Sequence, residues 1–256
     1  MLAMDTTDKY AVRREHVFML LAGLFLSALT MMNIIGLTRF VEMGPMTLAI
    51  GVLPYPLTFL CTDIVCELYG KRRATFMVTV GLMTNIFLLA VVSLAHALPS
   101  VPVDTMPPWQ VLDISNNVIL PSGEVVSGKI ELFSLIYACT TGAVFASMVA
   151  YVTAQYCDVH LFHFWKRLTR GKHLWLRNNF STLISQGVDA TMVISITFGA
   201  AFMAGELTLE QLLVLMGSNY LFKMCVALAD TIPFYLSVNW LSGYLGLQEM
   251  PVPLDQ

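Results

Sequence analysis

Five ionisable side chains lie within apolar stretches of this sequence, where a charge needs a specific role. They are Asp63, Glu67, Asp189, Lys223 and Asp230. An ionisable group in the hydrocarbon of a bilayer costs about 2.5–3.5 kcal/mol on insertion scales, so it needs a partner or a ligand to compensate. Carboxylates accept hydrogen bonds and an ammonium donates them, so this set can bind a polar solute, a cation or a proton.

Asp63 and Glu67 are four residues apart and therefore share one face of a helix. Two like charges this close repel each other, so they need a cation or a shared proton. Asp63 is the better candidate for holding a ligand. Glu67 precedes Lys71 by four residues, so a salt bridge at the helix end is the alternative for it.

Lys223 and Asp230 also share a helix face, and Asp189 lies on the neighbouring apolar stretch. We predict that Lys223 pairs with Asp189 or with Asp230. This pairing leaves the acids at 63 and 67 for a ligand. A buried ion network that only locks the helices together is the alternative for the whole set.

Uncharged groups extend the candidate site. Asn33 and Gln186 could donate hydrogen bonds from within their apolar stretches.

The composition determines the class of protein that must position these groups. Of the 256 residues, 57% are hydrophobic and 12% are charged, and the mean hydropathy is +0.70. Soluble domains are about 25% charged. Several apolar runs also exceed the ~18 residues that mark a spanning helix. The sequence therefore predicts an integral membrane protein rather than a soluble domain.

We predict an all-α fold, with residues 1–256 forming one transmembrane domain. Its six membrane-spanning helices cover about 17–38, 46–69, 74–98, 130–156, 181–204 and 209–236. Basic and aromatic residues alternate over 158–180, which predicts an interfacial amphipathic segment between helices 4 and 5. Lys and Arg are concentrated before the first span and after the second and fourth, which places both termini in the cytoplasm.

Two interruptions stand out in this pattern. Pro54 and Pro56 remove backbone donors inside the predicted second span. A new helix starting near Pro56 would direct free N–H groups into a cavity, whereas a kink that serves packing is the alternative. The connection 99–129 is long and rich in proline and acid.

Several motifs are absent, which limits the possible functions. The sequence has no G-x-x-x-x-G-K-[ST], so the chain itself is not expected to hydrolyse ATP. It has no H-E-x-x-H and no G-x-S-x-G, so an enzyme is not expected. We expect no cofactor, metal or nucleic-acid partner. The five cysteines are interpreted as small apolar fillers.

Three blocks of the sequence resemble the queuosine precursor transporter family, within the vitamin uptake transporter group. The first is PYPLTFLCTDIVCELYGKRRA, the second SMVAYVTAQYCDVHLFHFWKRLTRGKHLWLRNNFSTLISQGVDAT and the third NYLFKMCVALADTIPFYL. The combination of D-x-x-x-E-x-Y-G, DVHLF…LWLRNN and SQ-x-x-D is specific, whereas each motif alone is weak. The resemblance extends from Asn33 to about Tyr235.

This resemblance implies a six-span carrier of the bacterial inner (plasma) membrane that imports 7-deazaguanine bases for tRNA modification. Its substrates would be 7-cyano-7-deazaguanine, 7-aminomethyl-7-deazaguanine or queuine. The polar positions of the family fall here on Asn33, Asp63, Glu67, Gln155, Asp158, Asn178, Asn179, Gln186, Asp189, Lys223 and Asp230.

Such a base has an N1–H and an exocyclic amine beside a carbonyl. Asp63 or Asp189 would accept hydrogen bonds from the donor edge. The donor to the carbonyl would be Gln186, Asn33 or Lys223. A cationic aminomethyl group would be offset by Glu67. The ring of the base would stack on Tyr55, Phe59 or Tyr220, although helix packing alone would also explain aromatic residues at these positions.

One alternative is the substrate-binding membrane subunit of a vitamin transporter energised by a separate ATPase. The small residues from Gly142 to Ala150 could serve to dock such a partner. We do not expect an ATPase partner. The sequence leaves a homo-oligomer open.

Overall fold

The computed structural model of the chain describes residues 6–35, 39–43, 46–119, 125–170, 174–203 and 208–247. Helices dominate this part of the chain. They are α1 (Thr6–Ile35), α2 (Tyr55–Tyr69), α3 (Lys71–Ala97), α4 (Leu132–Leu168), α5 (Leu174–Met203) and α6 (Leu209–Tyr244). A turn at Gly70, whose φ of 82° suits glycine, separates α2 from α3.

The fold is not purely α-helical. Strands β1 (Phe40–Met43) and β2 (Met46–Ala49) pair in an antiparallel hairpin, followed by the 3-10 turn Ile50–Val52. The predicted span 46–69 is therefore wrong in its first third, which is strand and turn rather than helix. The helix begins only at Tyr55, because Pro54 and Pro56 lack the N–H that a helix interior needs but fit a helix start.

A second hairpin lies in the connection predicted as a loop. It pairs β3 (Val111–Ile119) with β4 (Val125–Glu131), after the two 3-10 turns Val103–Thr105 and Pro108–Gln110. The proline and acid content of 99–129 favours a loop, so this pairing escaped the sequence-based prediction.

The predicted interfacial segment over 158–180 is not a separate element in the described residues. Its first half continues α4 to Leu168, and α5 begins at Leu174. Val159 and Phe162 are fully buried, because their spacing of three places both on the helix face that packs into the core. The basic residues fall in the last turn of α4, where they suit the helix dipole. Residues 171–173 are outside the described part.

Long apolar faces point outward from the bundle. Among the described residues, three helical stretches are long and apolar enough to cross a membrane: Lys9–Ile35, Lys71–Ala97 and Leu209–Tyr244. Large apolar side chains are well exposed on each of them, including Leu20, Phe76, Leu94, Ile232 and Leu236. A soluble protein rarely exposes so much apolar surface, so these faces are suited to lipid.

The core joins α1, α2 and α3 to the ends of α4 and α6. Phe25, Phe59, Phe162 and Phe234 are almost completely buried in this one cluster. Close helix approach is possible at Gly81 of α3, which faces the Phe25 ring. The cluster thus holds α2 in place, and α2 carries Asp63.

We expect Gly81→Ala to lower stability. A Cβ at position 81 would lie 2.8 Å from Phe25 Cε1 and 3.0 Å from Leu29 Cδ2, and both side chains are buried. Overpacking of this kind costs about 1–3 kcal/mol, which exceeds the gain of about 0.5–1 kcal/mol from replacing a helical glycine. The matched control is Gly23→Ala, because a Cβ there has nothing within 4 Å.

The measurement is the free energy of unfolding of each purified variant in detergent. If Gly81→Ala proved as stable as Gly23→Ala, the close approach of α3 to Phe25 and Leu29 would be contradicted.

Candidate functional site

A small cavity lies between α2, α5 and α6; its volume in this conformation is about 10 Å³, which is room for about one water molecule, so the helices must move apart before it admits a larger solute. We call it the acidic cavity. Its lining residues are Phe59, Leu60, Asp63, Thr182, Ala227, Asp230 and Phe234. The α6 residues recur at spacings of three and four, so one face of that helix supplies its wall. The α2 residues are likewise within one turn of each other.

Two carboxyl groups and two phenyl rings dominate this cavity. Asp63 is only 3% exposed and accepts a hydrogen bond of 3.3 Å from Thr182 Oγ1. Asp230 is partly exposed to the cavity, and no donor in the described part of the chain binds it. The Phe59 and Phe234 side chains form apolar walls. Such a site favours a flat solute that is rich in hydrogen-bond donors or carries a positive charge.

A separate ionic network joins α5 to α6 and α2. Lys223 forms an ion pair with Asp189 Oδ2, and Tyr55 OH donates to the same oxygen over 2.9 Å. The Lys223 ammonium also lies 4.5 Å from the centre of the Tyr55 ring. Of the two predicted pairings of Lys223, the structure contains the one with Asp189. These three residues are not part of the cavity lining.

The acids at 63 and 67 do not form one site. Glu67 is paired with Lys166 of α4, with 3.5 Å between Oε2 and Nζ. This ion pair joins α2 to α4. Asp63, one turn earlier, faces the acidic cavity instead. The two acids therefore have different surroundings, in keeping with the ranking of Asp63 above Glu67 as the ligand candidate.

The other predicted residues lie outside the cavity lining. Asn33 donates a hydrogen bond of 2.8 Å to Asn85, which joins α1 to α3. Gln186 is buried on α5. The Tyr220 ring packs over Gly187, where a Cβ would meet it at 3.4 Å. The structure thus brings Asp63, Asp230 and Phe59 together, while the remaining candidates are distributed through the bundle.

Some residues of the site escaped the sequence-based prediction. Thr182 and Phe234 carry no signal of their own, because hydroxyl and phenyl side chains are common in membrane helices. Asp158 is one of the family's polar positions, but it was not predicted to bind substrate. It is fully buried on α4 and accepts a hydrogen bond of 3.0 Å from Ser185 Oγ.

Apolar outer faces around an acid-lined internal cavity define the general class of the protein. Intramembrane carboxylates directed into a cavity are typical of solute pathways, so the architecture is that of a membrane transporter.

Comparison with known proteins identifies the family. Residues 49–237 match the family described as "Putative vitamin uptake transporter", and the chain belongs to this family. The match confirms the family group expected from the three sequence blocks. The chain is also 26% identical over 194 residues to the "Probable queuosine precursor transporter" of Bacillus subtilis (strain 168). That alignment covers 74% of this chain and 71% of the relative. No solved structure matches the chain.

Proposed function

We propose that this chain imports queuosine precursors, 7-deazaguanine bases, across the bacterial inner membrane for use in tRNA modification. The name of the Bacillus subtilis relative supports this substrate class. The observation that carries the proposal is the acidic cavity, which presents Asp63 and Asp230 between the side chains of Phe59 and Phe234.

The chemistry of the base fits the groups that line this cavity. Its N1–H and exocyclic amine are adjacent donors, and a carboxylate can accept from both at once. Asp230 is the better acceptor, because it is the more exposed carboxyl and accepts no hydrogen bond from the described residues. The flat ring would lie against Phe59 or Phe234. Asp63 would interact from the opposite wall and favour a cationic aminomethyl substituent.

This proposal changes the roles first predicted for several residues. Asp189 and Lys223 neutralise each other with Tyr55, so they are proposed to support α5 and α6 rather than to touch the base. The Glu67–Lys166 pair is proposed to hold α2 against α4. Asn33, Gln186 and Tyr220 remain candidates only for a conformation in which the helices have moved.

We further propose six membrane spans with both termini in the cytoplasm. Transport then requires alternating exposure of the cavity to the two sides.

The decisive experiment measures uptake of labelled 7-cyano-7-deazaguanine, 7-aminomethyl-7-deazaguanine and queuine by cells that cannot make queuosine precursors. We expect accumulation only in cells that express the chain. Cells with the empty vector are the control, and absence of uptake for all three bases would refute the proposed function.

Purified protein distinguishes the ATPase-dependent alternative. We expect the chain alone, reconstituted in vesicles, to move the base without ATP. If transport required ATP and an ATPase that purifies with the chain, the alternative of an energised binding subunit would replace this proposal.

A further inference from the structure

Two acidic side chains from different helices meet beside the acidic cavity. Asp63 on α2 and Asp158 on α4 both lie against the same stretch of α5, where the two hydroxyl-bearing residues that bind them are three positions apart. Both residues are buried, at 3% and 0% exposure. Successive turns of α5 hold the two groups, because Thr182 donates to Asp63 and Ser185 donates to Asp158.

Each carboxyl retains one oxygen that no donor satisfies. Among the described residues, Asp63 Oδ1 and Asp158 Oδ2 are buried without a hydrogen-bond partner. A buried acceptor without a donor is destabilising, and two adjacent carboxylates repel each other strongly where water is excluded. A single proton between the two groups removes both problems, since it makes one carboxyl a donor to the other.

The nearby lysines do not neutralise the carboxylates of Asp63 and Asp158. Lys223 is paired with Asp189, and Lys166 is paired with Glu67. Among the described residues, the other ionisable groups on these helices include Asp230 on α6, Cys66 on α2, Cys157 and His163 on α4, and, toward the Gly70 end, Arg14 and Glu15 on α1 and Arg73 on α3. In this described part of the chain, no Lys or Arg forms an ion pair with Asp63 or Asp158.

We propose that Asp63 and Asp158 share one transported proton, and that this proton couples solute uptake to the proton gradient. The inference rests on the proposed function for the identity of the solute. A proton enters from the outer side and forms an O–H bond at one carboxylate. On the inner side this bond breaks and the proton returns to water, and no other bond changes.

The position of the pair explains how the proton and the solute are coupled. Asp63 lies in the wall of the acidic cavity and at the contact of α2 with α4. The shared proton holds these helices together. Its release leaves two adjacent carboxylates whose repulsion separates α2 from α4 and opens the cavity inward. The same movement would release the solute and the proton on the same side.

The first test needs no solute. Infrared spectra of the wild-type protein in lipid vesicles at neutral pH should contain the absorption of a protonated, buried carboxyl group. We expect this absorption to be lost in Asp158→Asn, because an amide donates to Asp63 in place of the proton. The matched control is Asp113→Asn on the exposed hairpin, which should retain it. An unchanged absorption in Asp158→Asn would overturn the proposal.

The second test measures transport of labelled 7-aminomethyl-7-deazaguanine in vesicles with the membrane potential clamped. A proton gradient, acidic outside, should drive at least tenfold accumulation by the wild type, and a sodium gradient should drive none. Asp158→Asn should lose this accumulation, because an amide at position 158 donates to Asp63 permanently and has no proton to release on the inner side.

The outcomes separate the two proposals. Accumulation driven by sodium alone, or equal proton-driven accumulation by Asp158→Asn, would overturn the shared proton. If wild-type vesicles moved none of the three bases, the proposed function would fail, and the infrared measurement would still decide whether the pair holds a proton. The wild-type gradient experiment also remains decisive if Asp158→Asn does not fold.

Discussion

Asp230→Asn should reduce binding of a 7-deazaguanine base by about 100-fold. The substitution keeps the shape of the side chain but replaces a charged acceptor with a neutral amide. Hydrogen bonds to charged groups contribute about 1.5–3 kcal/mol, and each 1.4 kcal/mol is about tenfold in affinity. Binding of labelled base to the purified protein is the direct measurement, and uptake by cells should fall in parallel.

The matched control for this variant is Asp113→Asn, since Asp113 is exposed on β3 and distant in the fold from the acidic cavity. Asp63→Asn should also weaken binding and, in addition, abolish proton coupling. Full affinity in Asp230→Asn would show that the base does not use this carboxyl, whatever the effect at Asp63.

Lys223→Met should destabilise the protein by about 3–5 kcal/mol. It leaves the Asp189 carboxylate buried without its cation, and breaking a buried ion pair from one side is far more costly than replacing both partners. The double variant Lys223→Met with Asp189→Asn should recover most of this loss, because Tyr55 can still donate to the amide oxygen. Denaturation of the purified variants in detergent gives the free energies.

An exposed ion pair provides the comparison. Lys129→Met disrupts the contact with Asp104, whose atoms are 3.3 Å apart and open to water. Surface pairs of this kind contribute little, so stability should barely change. If Lys223→Met changed the free energy of unfolding as little as Lys129→Met, the buried network around Asp189 would not stabilise the packing of α5 against α6.

Much of the architecture could be predicted from local pattern alone. Long apolar helices follow from composition. The start of α2 follows from Pro54 and Pro56, because proline fits the first turn of a helix but not its interior. The hairpins β1–β2 and β3–β4 were not predicted this way, because strand formation depends on the surrounding contacts more than on local pattern. The same holds for the end of α4, where basic residues suggested a surface segment although Val159 and Phe162 are buried.

The candidate site, too, could be predicted from the sequence only in part. The sequence by itself determined which ionisable residues lie in apolar surroundings, since their neighbours along the chain establish that directly. It also identified the family through its three blocks. Only the tertiary structure decided that Lys223 pairs with Asp189, that Glu67 pairs with Lys166, and that Asp63 meets Asp158. Charges distant in sequence can combine in many ways, and helix packing selects the combination by bringing particular faces together.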